Sequence, residues 1–337
     1  MAVYLGSNSV TLTKAVVTKP KGYGNEILFR LISGSFSRDI DYIGDYAFAG
    51  CSNLTSVSFP SCTTIGNSAF YNCSTLTSIS FPTCTSIGVS AFYNCYSLTS
   101  INFPSCTSMD IGAFEKCTHL VSVSFPRCTD MGNYAFYNCI SLIEANFPSC
   151  TSIGNYAFYS CYDLTSVNFP ACTSIKTYAF YNCSALTSVS FPSCISIGGS
   201  AFAVCTSLTS VSFPSCTTIG NFAFNNCITL TSVSFPSCTI IGSSAFHYCH
   251  ALTSISFPSC TSIGNSAFYY CYNLISLNLT EVSSVPTLGT GAFISTPIGG
   301  YSTSAGQYGS VYVPSSLYSD FLIAPNWSSI SNRILSV

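Results

Sequence analysis

From Leu54 onward the chain repeats one order of apolar and polar positions, L-T-S-V-S-F-P-S-C-T-T-I-G-N-S-A-F-Y-N-C-S-T, 22 residues long. Some columns of this repeat hardly vary. The Leu54 position is leucine eleven times in succession, through Leu274. The Val57 position holds Val, Ile, Ala or Leu, and the Ile65 position Ile or Met. Ala69-Phe70 recurs as Ala-Phe in all ten units to Ala267-Phe268, with Ala47-Phe48 as a partial earlier copy. Phe-Pro stands at Phe59 and at every 22nd residue to Phe257. Apolar columns at a fixed period predict a solenoid, with one coil per repeat and each coil's apolar face buried only by its neighbours.

Within a unit, Ser56-Val57-Ser58-Phe59-Pro60 alternates polar and apolar. That period of two predicts a strand with Val57 and Phe59 inward and the Ser56, Ser58 and Pro60 columns outward. Pro60 has no N–H and is expected to end the strand. Ile65-Gly66 reads as a turn at which glycine permits positive φ, although Asp110 and Lys176 replace the glycine in two units. Asn67-Ser68-Ala69-Phe70 follows as a tight helical turn or extended piece, too short for a regular helix.

Composition removes several classes of protein. The 337 residues carry 9 Lys+Arg and 11 Asp+Glu, so 6% are charged and the net charge is −2; soluble domains average about 25% charged. A balance this weak gives no electrostatic footprint for nucleic acid. Disorder does not fit a chain that is 15% aromatic. No run approaches the ~18 unbroken apolar residues of a spanning helix, so membrane insertion is not expected.

All 21 cysteines lie one every 11 residues from Cys51 to Cys271. A disulfide between coils would join side chains held at strand spacing, wider than the bridge prefers, and the count is odd. A metal needs four convergent ligands, whereas a cysteine ladder offers a row. His119, His247 and His250 do not pair with the cysteines at ligand spacing. Packing is the expected role, since free cysteine behaves as a small buried hydrophobe. No cofactor is expected.

Catalysis requires convergent titratable groups. Every Ser and Cys here is also a repeat position, and no phosphate-binding loop occurs, so no catalytic residue is assigned and an enzyme is not expected. Charge gathers in one place: Asp110, Glu115, Lys116, Arg127 and Asp130, with His119 and Glu144 nearby. Glu144 replaces serine in the Ser56 column, between Ser122 and Ser166. This is either surface drift or a binding hot spot. A second candidate surface is aromatic. Tyr137, Tyr159 and Tyr181 share a column with Tyr71, Tyr93 and Tyr269, and Tyr134, Tyr156 and Tyr178 form another. Stacked tyrosines offer apolar faces with hydroxyls to a protein or glycan, or they are packing between coils.

The consensus L-x-x-V-x-F-x-x-C-x-x-I-G-x-x-A-F-x-x-C resembles the leucine-rich repeat of the BspA-like bacterial surface proteins, over roughly Ile40 to Phe293. The resemblance implies a leucine-rich-repeat solenoid with a parallel β-sheet on its concave face and short helical or irregular convex segments. It implies adhesion or protein binding rather than catalysis. Members usually carry a leader; Met1–Val17 has no basic region ahead of an apolar run, and none is expected. The flanks Met1–Ser9 and Val311–Ile334 resemble versions from gut Firmicutes and their phages.

The organisation expected is therefore an N-terminal cap or attachment segment over 1–39 with a turn at Lys19-Pro20-Lys21-Gly22, the repeats over 40–293, and a C-terminal cap over 294–337. In that cap Val311-Tyr312-Val313 is read as a last strand, Ser315 as the cap of a short helix and Trp327 as the plug of the core. The function expected is a non-enzymatic binding or adhesion module for protein or carbohydrate, on a bacterial surface or a phage particle. Self-assembly into a fibre or homo-oligomeric spike is the alternative, and ice binding by hydroxyl rows a remote one.

Overall fold

The computed structural model describes residues 16–17, 33–35, 40–303 and 306–337. The segment 1–39, with its expected turn and flank, lies outside the described residues except for Val16–Val17 and Ser33–Ser35. The chain forms a parallel-strand solenoid whose coils fall into two compact units, residues 1–169 and 170–337.

In the first unit each coil begins with a three-residue strand, such as Ser56–Ser58 or Ser78–Ser80, that pairs in register with its neighbour: Ser56 with Ser78, Val57 with Ile79, Ser58 with Ser80. The Phe59 N–H extends this ladder by donating to Ser80 O at 3.0 Å. Pro60 then ends it. Phe59-Pro60-Ser61-Cys62 is a turn with proline in its second place, closed by the Cys62 N–H donating to Phe59 O at 3.3 Å.

The next piece departs from the sequence reading. Ile65-Gly66 is not simply a turn, because Thr64–Ile65 is a second strand that pairs in register with Ser86–Ile87. Nor does Gly66 take positive φ. A Cβ built on Gly66 would lie 2.8 Å from the Asp45 backbone nitrogen, and one on Gly154 would lie 2.5 Å from Gly132 O. Glycine is there because the backbones of successive coils nearly touch. The structure gives no account of how Asp110 and Lys176 are accommodated in that column.

Left-handed backbone appears two residues later. Ser68 and Asn72 have φ of 51° and 57°, and most coils repeat the pair. Between them the chain alternates, so that Ser68, Phe70 and Asn72 donate their N–H groups to Val89, Ala91 and Tyr93 of the next coil at 2.7–2.8 Å. The segment is irregular in φ and ψ, yet alternate N–H groups bond to the next coil and Tyr71 N–H donates back to Ser68 O at 3.1 Å, without a regular helix.

Leu54, Val57, Phe59, Cys62, Ile65, Ala69, Phe70 and Cys73 all point inward and are at most 3% exposed. Two phenylalanine columns run through this core. Phe48, Phe70 and Phe92 stack at 5.0 Å, and Phe59, Phe81 and Phe103 at 5.5–5.7 Å. The columns meet edge to face, as at Phe70–Phe81, 5.9 Å.

The outer surface is also bonded along the stack. Thr85 Oγ1 donates to Thr63 O at 3.0 Å, Thr107 Oγ1 to Thr85 O at 3.1 Å and Thr151 Oγ1 to Thr129 O at 3.1 Å. Ser105 Oγ reaches Pro82 O at 2.8 Å. Asn94 Nδ2 donates to Asn72 Oδ1 at 2.9 Å.

The second unit repeats this plan, with Ser188–Ser190, Ser210–Ser212 and Ser232–Ser234 in one ladder and Ser196–Ile197, Thr218–Ile219 and Ile240–Ile241 in another. Its C-terminal end differs from expectation in two respects. Ser310–Val313 is a strand but not the last, because Ile334–Ser336 pairs beyond it. Ser315 caps no helix: the 3₁₀ turn Ser315–Leu317 and helix Tyr318–Ile323 have no side-chain cap, and Ser315 Oγ instead donates to Val337 O at 2.9 Å. Trp327 is fully buried, donates Nε1–H to Pro286 O at 2.7 Å and packs on Phe321 and Phe293.

Every cysteine is buried and unbridged. The Cys62 column donates its thiol to the second strand of its own coil, Cys62 Sγ to Thr64 O at 3.3 Å. The Cys73 column reaches back one coil, Cys73 Sγ to Phe48 O at 3.0 Å and Cys95 Sγ to Phe70 O at 3.1 Å. Burial pushes the Cys62 thiol up to about 11 and Cys84 to about 12, so the reactive thiolate is almost absent near neutrality. Ellman's reagent should therefore find essentially no reactive thiol in the native protein and all of them in guanidinium. Stoichiometric reaction without denaturant would contradict this packing.

Candidate functional site

The sequence-predicted tyrosines do converge. In the first unit Tyr134 stacks on Tyr156 and Tyr137 on Tyr159, each pair with centroids 4.9 Å apart. Tyr134–Tyr137 and Tyr156–Tyr159 close the block at 5.7 Å. All four are half-buried, and so serve packing and surface together. In the second unit Tyr178 meets Tyr181 at 5.5 Å. Tyr134, Tyr156 and Tyr178 stand at left-handed positions, φ 57–59°, where several other coils carry serine. A bulky residue there is an outlier that local sterics disfavour.

Ser122, Glu144 and Ser166 lie on a different segment of the coil. Their strands pair with Ser122 opposite Glu144 and Glu144 opposite Ser166, all three exposed. The carboxylate thus stands in a row of serine hydroxyls, flanked by exposed Val121 and Ile143.

The charged residues separate. Glu115 and Lys116 approach at 3.8 Å, the one ion pair found among the described residues. Lys116 Nζ also donates to Tyr93 Oη at 2.5 Å and lies 4.9 Å from that ring's centre. The hydrogen bond that Lys116 donates to Tyr93 raises Lys116 above the usual lysine range, and burial raises Glu115. Asp110 turns back on its own chain, Oδ1 accepting the Ile111 N–H at 2.8 Å. Arg127 and Asp130 are exposed and join no ion pair found there. The Glu115–Lys116 pair, partly exposed and at 3.8 Å, contributes no more than about 1 kcal/mol.

A family model for the BspA type leucine rich repeat region matches residues 29–142, 85–205, 129–239 and 195–303. The chain belongs to that family. Its repeats are those of bacterial surface-type leucine-rich repeat proteins, a class of binding scaffold. No curated protein sequence matches the chain. Among solved structures, a leucine-rich repeat protein from Bacteroides ovatus is 24% identical, with a TM-score of 0.63 over 99% of this chain and 93% of that one; that likeness shows the fold. A leucine rich cell surface protein from Faecalibacterium prausnitzii is 26% identical, with a TM-score of 0.46 over 84% and 88%. The pneumococcal vaccine antigen PcpA is 18% identical, with a TM-score of 0.44 over 98% and 89%. The phage resemblance of the flanks finds no support in the family match. No helix among the described residues is long and apolar enough to cross a membrane.

One group in these BspA-type coils was missed by the sequence reading. His247-Tyr248-Cys249-His250 and Tyr269-Tyr270-Cys271-Tyr272 occupy the same columns of adjacent coils. The signal is a 22-residue echo of aromatic pairs, which the single column containing Tyr269 does not reveal. His247 lies 4.3 Å from Tyr248 and 5.0 Å from Tyr269 between ring centres. Its Nδ1 and Nε2 are buried without a hydrogen-bond partner, and burial lowers it below the usual imidazole range.

The sign of the linkage follows. The unfolded chain binds the His247 proton more tightly than the folded one, so its contribution is intact above pH ~6.5 and is lost as pH falls toward the depressed folded value. Chemical denaturation from pH 8 to pH 5 should show His247→Tyr, which restores the column's common residue, losing less stability than the native protein. Parallel pH profiles would contradict a buried neutral His247.

Proposed function

We propose that this protein is a non-enzymatic binding module that recognises protein or carbohydrate through its repeat surface, on the outside of a bacterial cell. The observation that carries this reading is the four-tyrosine block of Tyr134, Tyr156, Tyr137 and Tyr159. Two of its rings occupy left-handed backbone at 57–59°, and strain of that sort is retained where a surface is used. Half-buried tyrosines held by stacking lose little side-chain freedom on binding, and each brings an apolar face with a hydroxyl. Membership of the BspA-type family supports the same reading, as does the exposed row of Ser122, Glu144 and Ser166 in that unit.

The test is a double variant, Tyr134→Ser with Tyr156→Ser, which restores the serine found at Ser68 and Ser90. Immobilised protein is presented with a panel of extracellular-matrix proteins and oligosaccharides. The variant is expected to lose about tenfold in affinity for whichever ligand the native protein binds, with no fall in Tm. Undiminished binding by a folded double variant, or no binding by the native protein, would overturn the assignment.

A further inference from the structure

The patch missed by the sequence reading lies wholly in the second unit and does not depend on the tyrosine block of the first. Six rings make one continuous surface. Tyr248 stacks on Tyr270 at 4.9 Å, and Tyr269 meets Tyr270 edge to face at 4.2 Å. His250 approaches Tyr272 at 5.0 Å, and Tyr270 approaches Tyr272 at 5.3 Å. Tyr272, 45% exposed, forms the rim.

Three features separate this patch from ordinary packing. Tyr248 and Tyr270 have φ of 61° and 60°, in the column that holds asparagine at Asn72, Asn94, Asn138, Asn182 and Asn226. Asparagine tolerates left-handed backbone through local hydrogen bonds of its short side chain, and tyrosine has no such compensation. Secondly, His247 Nδ1 and Nε2 and His250 Nε2 lie within the patch with no partner, whereas buried polar atoms are normally paired. A neutral imidazole offers one donor and one acceptor, and a hydroxyl matches both. Rotation of exposed side chains is fast, so a rim ring can turn aside to admit one. Thirdly, no Asp, Glu, Lys or Arg occurs from 177 to 280, so nothing there compensates a charged ligand.

We infer that the His247, Tyr248, His250, Tyr269, Tyr270 and Tyr272 patch is a binding site for a neutral carbohydrate. The C–H face of a pyranose packs against the phenol rings, and its hydroxyls meet the unpartnered imidazole nitrogens and the tyrosine hydroxyls. Absence of nearby charge selects neutral sugars over uronic or sialic acids.

Calorimetric titration of the whole protein tests this with cellohexaose, mannohexaose and N-acetylchitohexaose as neutral probes and oligogalacturonate as the acidic one. At least one neutral probe is expected to bind. Tyr248→Asn with Tyr270→Asn, which restores the column's usual residue, is expected to weaken that binding about tenfold, with Tm unchanged or raised. Tyr134→Ser with Tyr156→Ser is expected to bind as the native protein does. The inference is overturned if no neutral probe binds, if only the acidic probe binds, if the Tyr248/Tyr270 variant retains full affinity, or if the loss is confined to the Tyr134/Tyr156 variant. Recognition of a matrix protein at the patch without any sugar binding would also overturn it.

Discussion

In-register stacking is the constraint on which everything else in this protein depends. Within each unit a residue's nearest neighbour along the stack is the same position of the next coil, as Ser56 is to Ser78 and Thr64 to Ser86. Strand spacing puts such neighbours ~4.8 Å apart. Residues that attract their own copies are therefore repeated. Phenylalanine stacks on phenylalanine, threonine hydroxyls donate to the threonine backbone of the preceding coil, and asparagine amides form ladders. Residues that repel their copies are excluded. Two like charges at that spacing oppose each other by about 1 kcal/mol in bulk water and several-fold more near a protein surface. A chain with 6% charged residues is the outcome. Where charge does enter it comes singly or with compensation, as when Lys116 lies beside Glu115 and against Tyr93.

The same constraint places the candidate sites. A stacked column can change character only by local substitution, so the candidate sites are departures from the consensus. Tyr134 and Tyr156 depart where serine is usual, and Tyr248 and Tyr270 where asparagine is. All four stand at left-handed positions with φ of 57–61°. Rings at these positions stack along the coils and stand partly exposed at the same time.

Much of this was legible in the sequence. The Leu54 and Phe70 columns, the strand at Ser56–Ser58, its termination by Pro60 and the buried cysteines all follow from composition at a fixed period. The second strand did not. Thr64–Ile65 is two residues long, too short for alternation to register, and is defined only by its neighbours. Gly66 pointed to positive φ, but its close approach to the Asp45 backbone is an inter-coil fact that no single coil reveals. The left-handed positions were hidden because Ser, Tyr, Phe and Val occupy them as well as Asn and Gly. At the C-terminus Ser315 had the right residue type for a helix cap, but its hydroxyl is taken by Val337 O. The tyrosine columns could be counted from the sequence, whereas the His247 patch required seeing that two consecutive columns converge.

The most direct measurement of the central claim is a pair of triple variants in the threonine column of the first unit. One carries Glu at Thr85, Thr107 and Thr129; the other carries Glu, Lys and Glu. Both lose the same three hydroxyls and differ at one position, where the sign of the central charge is reversed. Stacking of like with like predicts that the all-glutamate variant unfolds more easily by at least about 2 kcal/mol at low salt, and that the gap narrows as salt screens the column. Equal stability of the two at low salt would contradict the account.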